Sequence, residues 1–362
     1  MSHVRARLAV FAIVAASCHA SPSGGATGAA ATDDTGVSAT SSSGGAHHGS
    51  SDGSNATTAT PGSSSGVVDG SETTLGPFDP PVLFDVATPM IDVGAIGPVE
   101  CECAPHTDRI HVVTTDGQLW AFDPLALEFE LVADLGLLGG CATPVVFSMS
   151  VARSGEAWLQ FTDGTLHTLD INAPVGCMAT GFVPPPALQI GNFGMGFVVP
   201  QREGGCDTLF GHRVSFGVDG PGVGLLFAID PETVMVIDSQ PTDFTQAELS
   251  GTGDGRLFGF AGSSPAKLVE FDPQDGSAIS VLDLDGLELT SAFAFAAWGG
   301  DFYFFTVSDT DFSRSEVNHL DYDDSDANGV QDLTELLDVV PFVGTISGAG
   351  VSTCAPTEPP PA

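Results

Sequence analysis

A motif of apolar residues followed by aspartate, at the end of a predicted strand, recurs five times along the chain. It is the strongest constraint on the fold. The copies are LWAFDP, LHTLDI, LFAIDP, LVEFDP and NHLDYD, with the aspartates at Asp123, Asp170, Asp230, Asp272 and Asp323. Successive copies are 47, 60, 42 and 51 residues apart, which is the spacing of propeller blades of about four short strands each. Asp bonds local backbone and a following Pro fixes φ, so each copy ends a strand in a tight turn. The pattern predicts an all-β protein, a β-propeller.

A second element recurs between these copies, at residues 146–155, 192–199, 247–255, 291–300 and 345–353. In most copies large apolar residues alternate with small ones, as Met149 does with Ser148 and Met195 with Gly194. Alternation with period 2 gives a strand one bulky face and one small face. Such a strand suits the crowded innermost position of a blade. Five copies predict five blades, with six blades or a β-sandwich as the alternatives.

The last copy indicates how the ring closes. Residues 345–353 have no outer strands after them, whereas residues 108–134 read as outer strands without an inner partner nearby. We therefore expect the C-terminal strand to complete the first blade. STCAP near the end of the chain and CECAP at residues 101–105 then lie side by side, which predicts a disulfide between Cys103 and Cys354.

The N-terminus has the features of an export signal. Arg5 and Arg7 precede the apolar run LAVFAIVAAS, which is too short to span a bilayer stably. The following AASC resembles the lipobox of bacterial lipoproteins, in which the Cys becomes the lipidated N-terminus. The resemblance predicts lipidation at Cys18; the alternative is cleavage after CHA without a lipid.

Composition divides the chain into four expected segments. Residues 1–17 are the signal peptide. Residues 18–77 are dominated by Ser, Gly, Thr and Ala, which bury too little apolar area to offset the ordering entropy, and so predict a disordered tether with a reach of about 40 Å. We expect the propeller at residues 78–356 and a Pro-rich tail at residues 357–362.

Charge limits the partners of the chain. Beyond Cys18 there are 46 acidic residues and 7 basic ones, a net charge of −39. This charge disfavours nucleic acid and disfavours charge-driven binding to anionic lipid. We expect membrane contact only through the N-terminal lipid, location in the cell envelope, at the outer membrane or cell surface, and a protein or glycan partner there.

Six cysteines follow Cys18, an even number that predicts three disulfides in an oxidising compartment. The phrases FSMSVARSGEAW, FGMGFV, ELSGTGDGRLFGF, AFAFAAWGGDFY and GAGVSTCAP resemble a family of uncharacterised bacterial β-propeller lipoproteins over most of residues 100–356. The resemblance implies fold and export, and no activity. It favours a disulfide between Cys141 and Cys177, since the family contains cysteines at similar positions. The remaining disulfide is then Cys101–Cys206, and Cys177–Cys206 is the competing pair.

One stretch, DSDANGVQDLTE at residues 324–335, has the spacing of a calcium-binding EF-hand loop. Its oxygen ligands are Asp324, Asp326, Asn328, the Val330 carbonyl, Asp332 and Glu335. Against this interpretation, Gln331 replaces the usual aliphatic residue and the preceding residues read as a strand. The hypothesis is a structural Ca²⁺ site, and the alternative is an acidic hairpin with an Asn-Gly turn.

The sequence contains no recognisable catalytic constellation. The inward strand ends carry Ser, Gly and Ala, which favours a non-enzymatic binding module. One alternative is a propeller lyase or lactonase in which single histidines converge to hold a metal at the channel mouth; another is a structural scaffold of an envelope complex. The histidines are His106, His111, His167, His212 and His319. We expect Trp120, Trp158 and Trp298 to pack between blades.

Chelation tests the calcium hypothesis. Because a ligand that binds only the folded state stabilises it by mass action, a chelator is expected to lower the melting temperature and micromolar-to-millimolar Ca²⁺ to restore it. Glu335→Gln abolishes the response, whereas Asp311→Asn, outside the loop, does not. Mg²⁺ substitutes poorly because it requires near-octahedral geometry. A calorimetric titration without heat, together with an unchanged melting temperature at millimolar Ca²⁺, would favour the acidic hairpin.

Overall fold

The computed structural model describes residues 101–141, 145–200, 206–215, 217–261, 265–287, 293–322 and 331–359. The predicted signal peptide, Cys18 and the predicted tether lie outside this part of the chain. The described part contains twenty β-strands and two short 3-10 helices, Leu135–Leu137 and Pro186–Leu188. Neither of these helices has the length and apolar character that crossing a membrane requires.

The strands are short and follow one another closely along the chain. In chain order they are β1 Ile110–Thr114, β2 Gln118–Asp123, β3 Glu128–Asp134, β4 Val146–Val151, β5 Glu156–Phe161, β6 Leu166–Asp170, β7 Met178–Ala179, β8 Phe193–Val198, β9 Thr208–Arg213, β10 Gly224–Asp230, β11 Met235–Thr242, β12 Ala247–Gly251, β13 Leu257–Ala261, β14 Ala266–Phe271, β15 Ala278–Leu284, β16 Phe293–Trp298, β17 Asp301–Val307, β18 Ser315–Leu320, β19 Leu333–Leu337 and β20 Ile346–Gly350.

The strands form five antiparallel sheets of four strands each within the described residues. Blade 1 has the order β20-β1-β2-β3, and blades 2 to 5 are β4 to β7, β8 to β11, β12 to β15 and β16 to β19. The innermost strands β4, β8, β12, β16 and β20 contact one another in that order around a ring. They coincide with the five copies of the alternating element. The prediction of a five-bladed β-propeller is confirmed, and the six-blade and sandwich alternatives are wrong.

Each inner strand packs its two faces against different neighbours. On β8, the bulky side chains of Phe193, Met195 and Phe197 pack with Trp158 of blade 2. The opposite face is Gly194 and Gly196, which lie directly against β12. A Cβ on Gly194 would overlap the Ala247 carbonyl oxygen and lie 2.6 Å from the Glu248 Cα. The alternation in sequence therefore produces close approach of neighbouring inner strands.

Side chains of the preceding blade satisfy the free edge of β8. The first strand of a blade has one edge without a ladder partner, and its N–H groups need acceptors. The acceptors here are the Gln160 Oε1 for Phe193 at 2.8 Å, the Ser148 Oγ for Met195 at 3.2 Å and the Ser150 Oγ for Phe197 at 3.2 Å. Blades 4 and 5 repeat the arrangement, since the Ala297 N–H donates to the Ser250 Oγ at 2.9 Å.

The aspartates of the first repeated pattern are the last residue of the third strand of their blades, or directly follow it, and form tight turns. Each side chain accepts from the backbone N–H two residues further on, at 2.8–2.9 Å. These aspartates are Asp123, Asp170, Asp230 and Asp272. The fifth, Asp323, lies outside the described residues.

The tryptophans lie at blade boundaries, as predicted. The Trp158 ring meets the Phe197 ring of blade 3 edge-on, with centroids 5.9 Å apart. The Trp120 ring of blade 1 stacks on Phe342, which follows blade 5, at 4.5 Å. The Trp298 Nε1 of blade 5 donates to the carbonyl of Asp108, before blade 1, at 2.7 Å.

Blade 1 joins the two ends of the described chain. Strand β20 pairs antiparallel with β1, with Gly350 opposite His111 and Ile346 opposite Thr114. Cys103 and Cys354 form a disulfide across 251 positions of sequence. We call this pairing of β20 with β1, together with its disulfide, the seam. It is the closure expected from the sequence.

Two further disulfides complete the set. One joins Cys101 to Cys206, and the other joins Cys141 to Cys177. The resemblance to bacterial propeller lipoproteins favoured Cys141–Cys177, which left Cys101 for Cys206; the competing Cys177–Cys206 pair is not formed. All six described cysteines are therefore oxidised, which is compatible with an exported protein.

Loss of the seam disulfide is expected to destabilise the ring. In the chain-entropy model, the double variant Cys103→Ser/Cys354→Ser loses about 5 kcal/mol of unfolding free energy under oxidising conditions. The matched control Cys141→Ser/Cys177→Ser opens a link of 36 positions and loses less, about 4 kcal/mol. Denaturant unfolding measures both values.

The same measurement after complete reduction is the internal control. Without disulfides, the wild type and the seam variant are expected to have similar stability, because the two serines replace only the cross-link. A peptide map that joins Cys354 to a cysteine other than Cys103 would contradict the seam.

Candidate functional site

One end of the ring is covered by the C-terminal segment, residues 352–359. This end, at which a turn joins the first and second strands of blades 2 to 5, is called the hairpin face. The Gly299 N–H of blade 5 donates to the Pro356 carbonyl at 2.7 Å. A Cβ on Gly253 of blade 4 would overlap the Thr353 carbonyl oxygen, so the segment lies directly on that turn. Together with the bond from Cys354 to Cys103, these contacts hold the segment against the hairpin face.

A partly buried ion pair connects the segment to blades 2 and 3. The Arg153 Nε lies 3.0 Å from the Asp207 Oδ1, and the two side chains are 14% and 6% exposed. The Arg153 Nη2 donates to the Thr353 Oγ1 at 2.9 Å, and that hydroxyl donates to the same Asp207 oxygen at 2.6 Å. The Arg153 Nη1 donates to the Cys101 carbonyl at 3.1 Å. Because each charge has several hydrogen-bond partners, the pair holds four chain segments in one arrangement.

Glu248 is a buried carboxyl in the interior of the ring. It lies on β12, and its Oε2 accepts a hydrogen bond from the Ser148 Oγ on β4 at 2.8 Å. In the ring, β8 lies between β4 and β12, and the backbone of β12 at Glu248 lies directly against Gly194 of β8. The other inner strands have Ser148, Gly194, Ala294 and Gly348 at the corresponding position. Glu248 is the ionisable residue within these five strands.

Burial raises the pKa of Glu248 well above its usual range, and hydrogen bonds from Ser148 and the Met195 backbone offset part of this shift. The described residues that face it from β4 and β8 carry no charge to compensate a carboxylate. The neutral acid is therefore the form that the folded ring favours.

A groove opens on the hairpin face beside the C-terminal segment. Its volume is about 570 Å³, within the usual range for ligand pockets. Turns of blades 2, 3 and 4 form its rim, including those at Ser154, Pro231 and Gln274. Trp158, Phe197 and Phe210 form its aromatic floor. Cys206, which is linked to Cys101, also lines the groove, so a disulfide fixes one side of it.

The histidines are distributed over several blades and are not brought together. Burial lowers the pKa of His111 and of His212 to about 4, so both are neutral at neutral pH. The His212 Nε2 lies 2.9 Å from the Thr242 Oγ1, and the His319 Nε2 lies 3.0 Å from the Asp301 Oδ2. Within the described residues, no group of three or more His, Cys, Asp or Glu has the arrangement to hold a metal ion. His106 and His167 complete the predicted set and join no such group.

Most of the predicted calcium loop lies outside the described residues. This holds for Asp324, Asp326, Asn328 and Val330. Of the two ligands that are described, Asp332 precedes β19 and Glu335 lies in β19 opposite Asn318. Burial, then the negative charges of Asp338, Glu316 and Asp309, raise the pKa of Glu335. The calcium site stays a prediction, as does lipidation of Cys18.

Sequence reasoning missed three features of this region. The signal for Glu248 was present, since it is a charged residue in a strand pattern of apolar and small residues. Arg153 and Asp207 gave no local signal, because 54 positions of sequence separate them. The groove gave no local signal in the sequence either, because residues of three different blades line it.

The fold defines the chain as a five-bladed β-propeller. No family model matches the sequence, and no curated protein matches it. A protein of unknown function from Bacteroides caccae is similar at 10% identity and a TM-score of 0.32, over 67% of this chain and 97% of that one. A chain of a mitotic checkpoint complex is similar at 10% identity and a TM-score of 0.35, over 68% of this chain and 79% of that one. The lipoprotein family suggested by the sequence stays a prediction.

Glu248→Gln is expected to stabilise the protein at high pH. Folding raises the pKa of Glu248. Its contribution to stability is therefore complete below the pKa of the unfolded chain, about 4.5. The contribution is lost as pH rises through the pKa of the folded state. Gln retains an oxygen that accepts from Ser148 and carries no charge. Because an uncompensated buried group costs about 1–3 kcal/mol, the melting temperature at pH 8 should rise by roughly 2–10 °C, with little change at pH 5.

Glu128→Gln, on the exposed strand β3, is the matched control and should change the melting temperature equally at both pH values. A Glu248→Gln variant that is no more stable than the wild type at pH 8 would contradict the neutral, buried carboxyl.

Proposed function

We propose that this chain is an exported, lipid-anchored binding module that holds a protein of the cell envelope in the groove on the hairpin face. The observation that carries the proposal is the groove itself, a concave surface of about 570 Å³ on a rim fixed by covalent and ionic links. Binding residues in many proteins lie on loops that a rigid scaffold positions. Here the scaffold is the disulfide-closed propeller.

The rim needs little reorganisation to bind a partner. The Cys101–Cys206 disulfide holds the blade 3 side of the groove, and the Arg153–Asp207 pair holds blade 2 against blade 3. Ordering of loops and side chains opposes association, so a rim that is already ordered favours binding. The lipid at Cys18 and the tether then keep this surface near the membrane and free to reach its partner.

Photo-crosslinking in intact cells tests the proposal. A photoreactive residue at Gln274, on the rim of the groove, is expected to give one or a few discrete adducts in the membrane fraction. The matched position is Thr162, an exposed residue in the turn between β5 and β6 at the opposite end of the strands. It is expected to give none, because the proposed surface is the hairpin face.

The variant Cys18→Ser separates anchoring from binding. It should move the protein to the soluble exported fraction while purified protein retains the Gln274 adduct with the purified partner. Equal adducts from Gln274 and Thr162, or none from Gln274, would overturn the binding surface. A wild-type protein that is soluble after export would overturn the lipid anchor.

A further inference from the structure

We infer that the groove takes a cationic segment of a partner protein, in which Lys or Arg side chains lie next to apolar ones. This inference rests on the proposed function of the groove and adds the chemical class of its ligand. Three features support it: the charge of the described lining, the position of the apolar surface in that lining, and the net charge of the whole chain.

The lining has a marked excess of negative charge. Arg153 is the basic side chain among its described residues, and Asp207 already neutralises it at 3.0 Å. Four further carboxylates line the groove, and no ion pair in the described part of the chain engages them. They are Glu156, Asp230, Glu232 and Asp238.

Hydrogen bonds keep one of these carboxylates charged. The Asp230 Oδ2 accepts from the Thr233 hydroxyl at 2.8 Å, and its Oδ1 accepts from the Glu232 N–H at 2.9 Å. The Thr233 side chain, then the Glu232 backbone, lower the pKa of Asp230. The groove therefore retains this negative charge in mildly acidic solution.

Apolar surface lies between the carboxylates. Ile237 is 60% exposed and directly precedes Asp238. Pro231 and Pro273 lie on the same rim, above the aromatic floor. A Lys or Arg side chain combines a long alkyl stem with a charged end. Its stem can pack on Ile237 and the prolines while its charged end reaches a carboxylate, and an apolar neighbour can fill the remaining space.

The charge of the whole chain favours the same class of partner. The net charge is −39 beyond Cys18, which attracts a basic segment over a distance and repels anionic lipid and a second copy of this chain. A neutral glycan gains nothing from this field. A basic protein segment matches both the field and the local lining.

An unbiased peptide selection tests the inference. The exported Cys18→Ser full chain is panned against a display library of random 12-residue peptides. We expect the recovered peptides to be enriched in Lys or Arg adjacent to an apolar residue. A recovered peptide should bind at least 10-fold more weakly to Glu156→Gln/Glu232→Gln/Asp238→Asn, and more weakly as salt rises, because exposed charges are screened.

The matched control removes the same charge elsewhere. The variant Asp108→Asn/Glu128→Gln/Asp285→Asn should keep the affinity within 2-fold. Ile237→Ser should weaken binding of the recovered peptide and leave a version with glycine at its apolar positions nearly unchanged. Equal losses in the two triple variants would mean general charge attraction and would overturn the groove as the basic-peptide site.

The remaining outcomes distinguish this inference from the proposed function. Recovery of neutral or acidic peptides, or of none, overturns the cationic ligand. If Gln274 still gives a position-specific adduct in cells, the binding module stands and only its ligand class is wrong. If that adduct is also absent, the proposed function fails as well.

Discussion

The close approach of neighbouring inner strands determines the dimensions of the ring. A small residue on each inner strand faces the next blade, and at Gly194 even a methyl group would overlap the backbone of β12. At this distance a short side chain reaches the neighbouring strand. Ser148 and Ser150 therefore satisfy the edge of β8. The buried Glu248 lies in the same closely spaced ring, and its carboxyl accepts a hydrogen bond there from Ser148.

Rigidity of the hairpin face follows from how the ring is closed. The C-terminal strand completes blade 1, and the residues after it continue over the hairpin face to contact the turns of other blades. Thr353 joins the Arg153–Asp207 pair there. The C-terminal strand and the residues after it therefore close the ring and contact Arg153, which lines the groove. The segment that closes the ring is therefore in direct contact with a residue of the groove lining.

Repetition made most of the fold predictable from sequence. The strand-ending aspartates and the alternating inner strands recur, so each copy supported the interpretation of the others. The unpaired final copy then indicated the closure and the bond between Cys103 and Cys354. Repetition did not reveal features that occur once. Glu248 departs from its repeat, and Arg153 meets Asp207 and Thr353 only after three separate segments have folded together.

The candidate site was less predictable for the same reason. Its carboxylates come from two blades and look like ordinary surface residues in a very acidic chain. Only the arrangement of the turns shows that Glu156 and Glu232 share one groove with Ile237. The predicted calcium ligands were recognisable because they follow one another in sequence, and most of them lie outside the described residues.

The position of β20 in blade 1 has a consequence for biosynthesis. Blades 2 to 5 use consecutive strands and can pair as soon as they are made, whereas β1 must wait for a strand near the other end of the chain. The cysteines of the seam are 251 positions apart, which corresponds to roughly 10–50 s of synthesis at about 5–20 residues per second. During that time the inner edge of β1 is unpaired and open to intermolecular pairing. A chain that terminates before Ile346 keeps that edge open permanently.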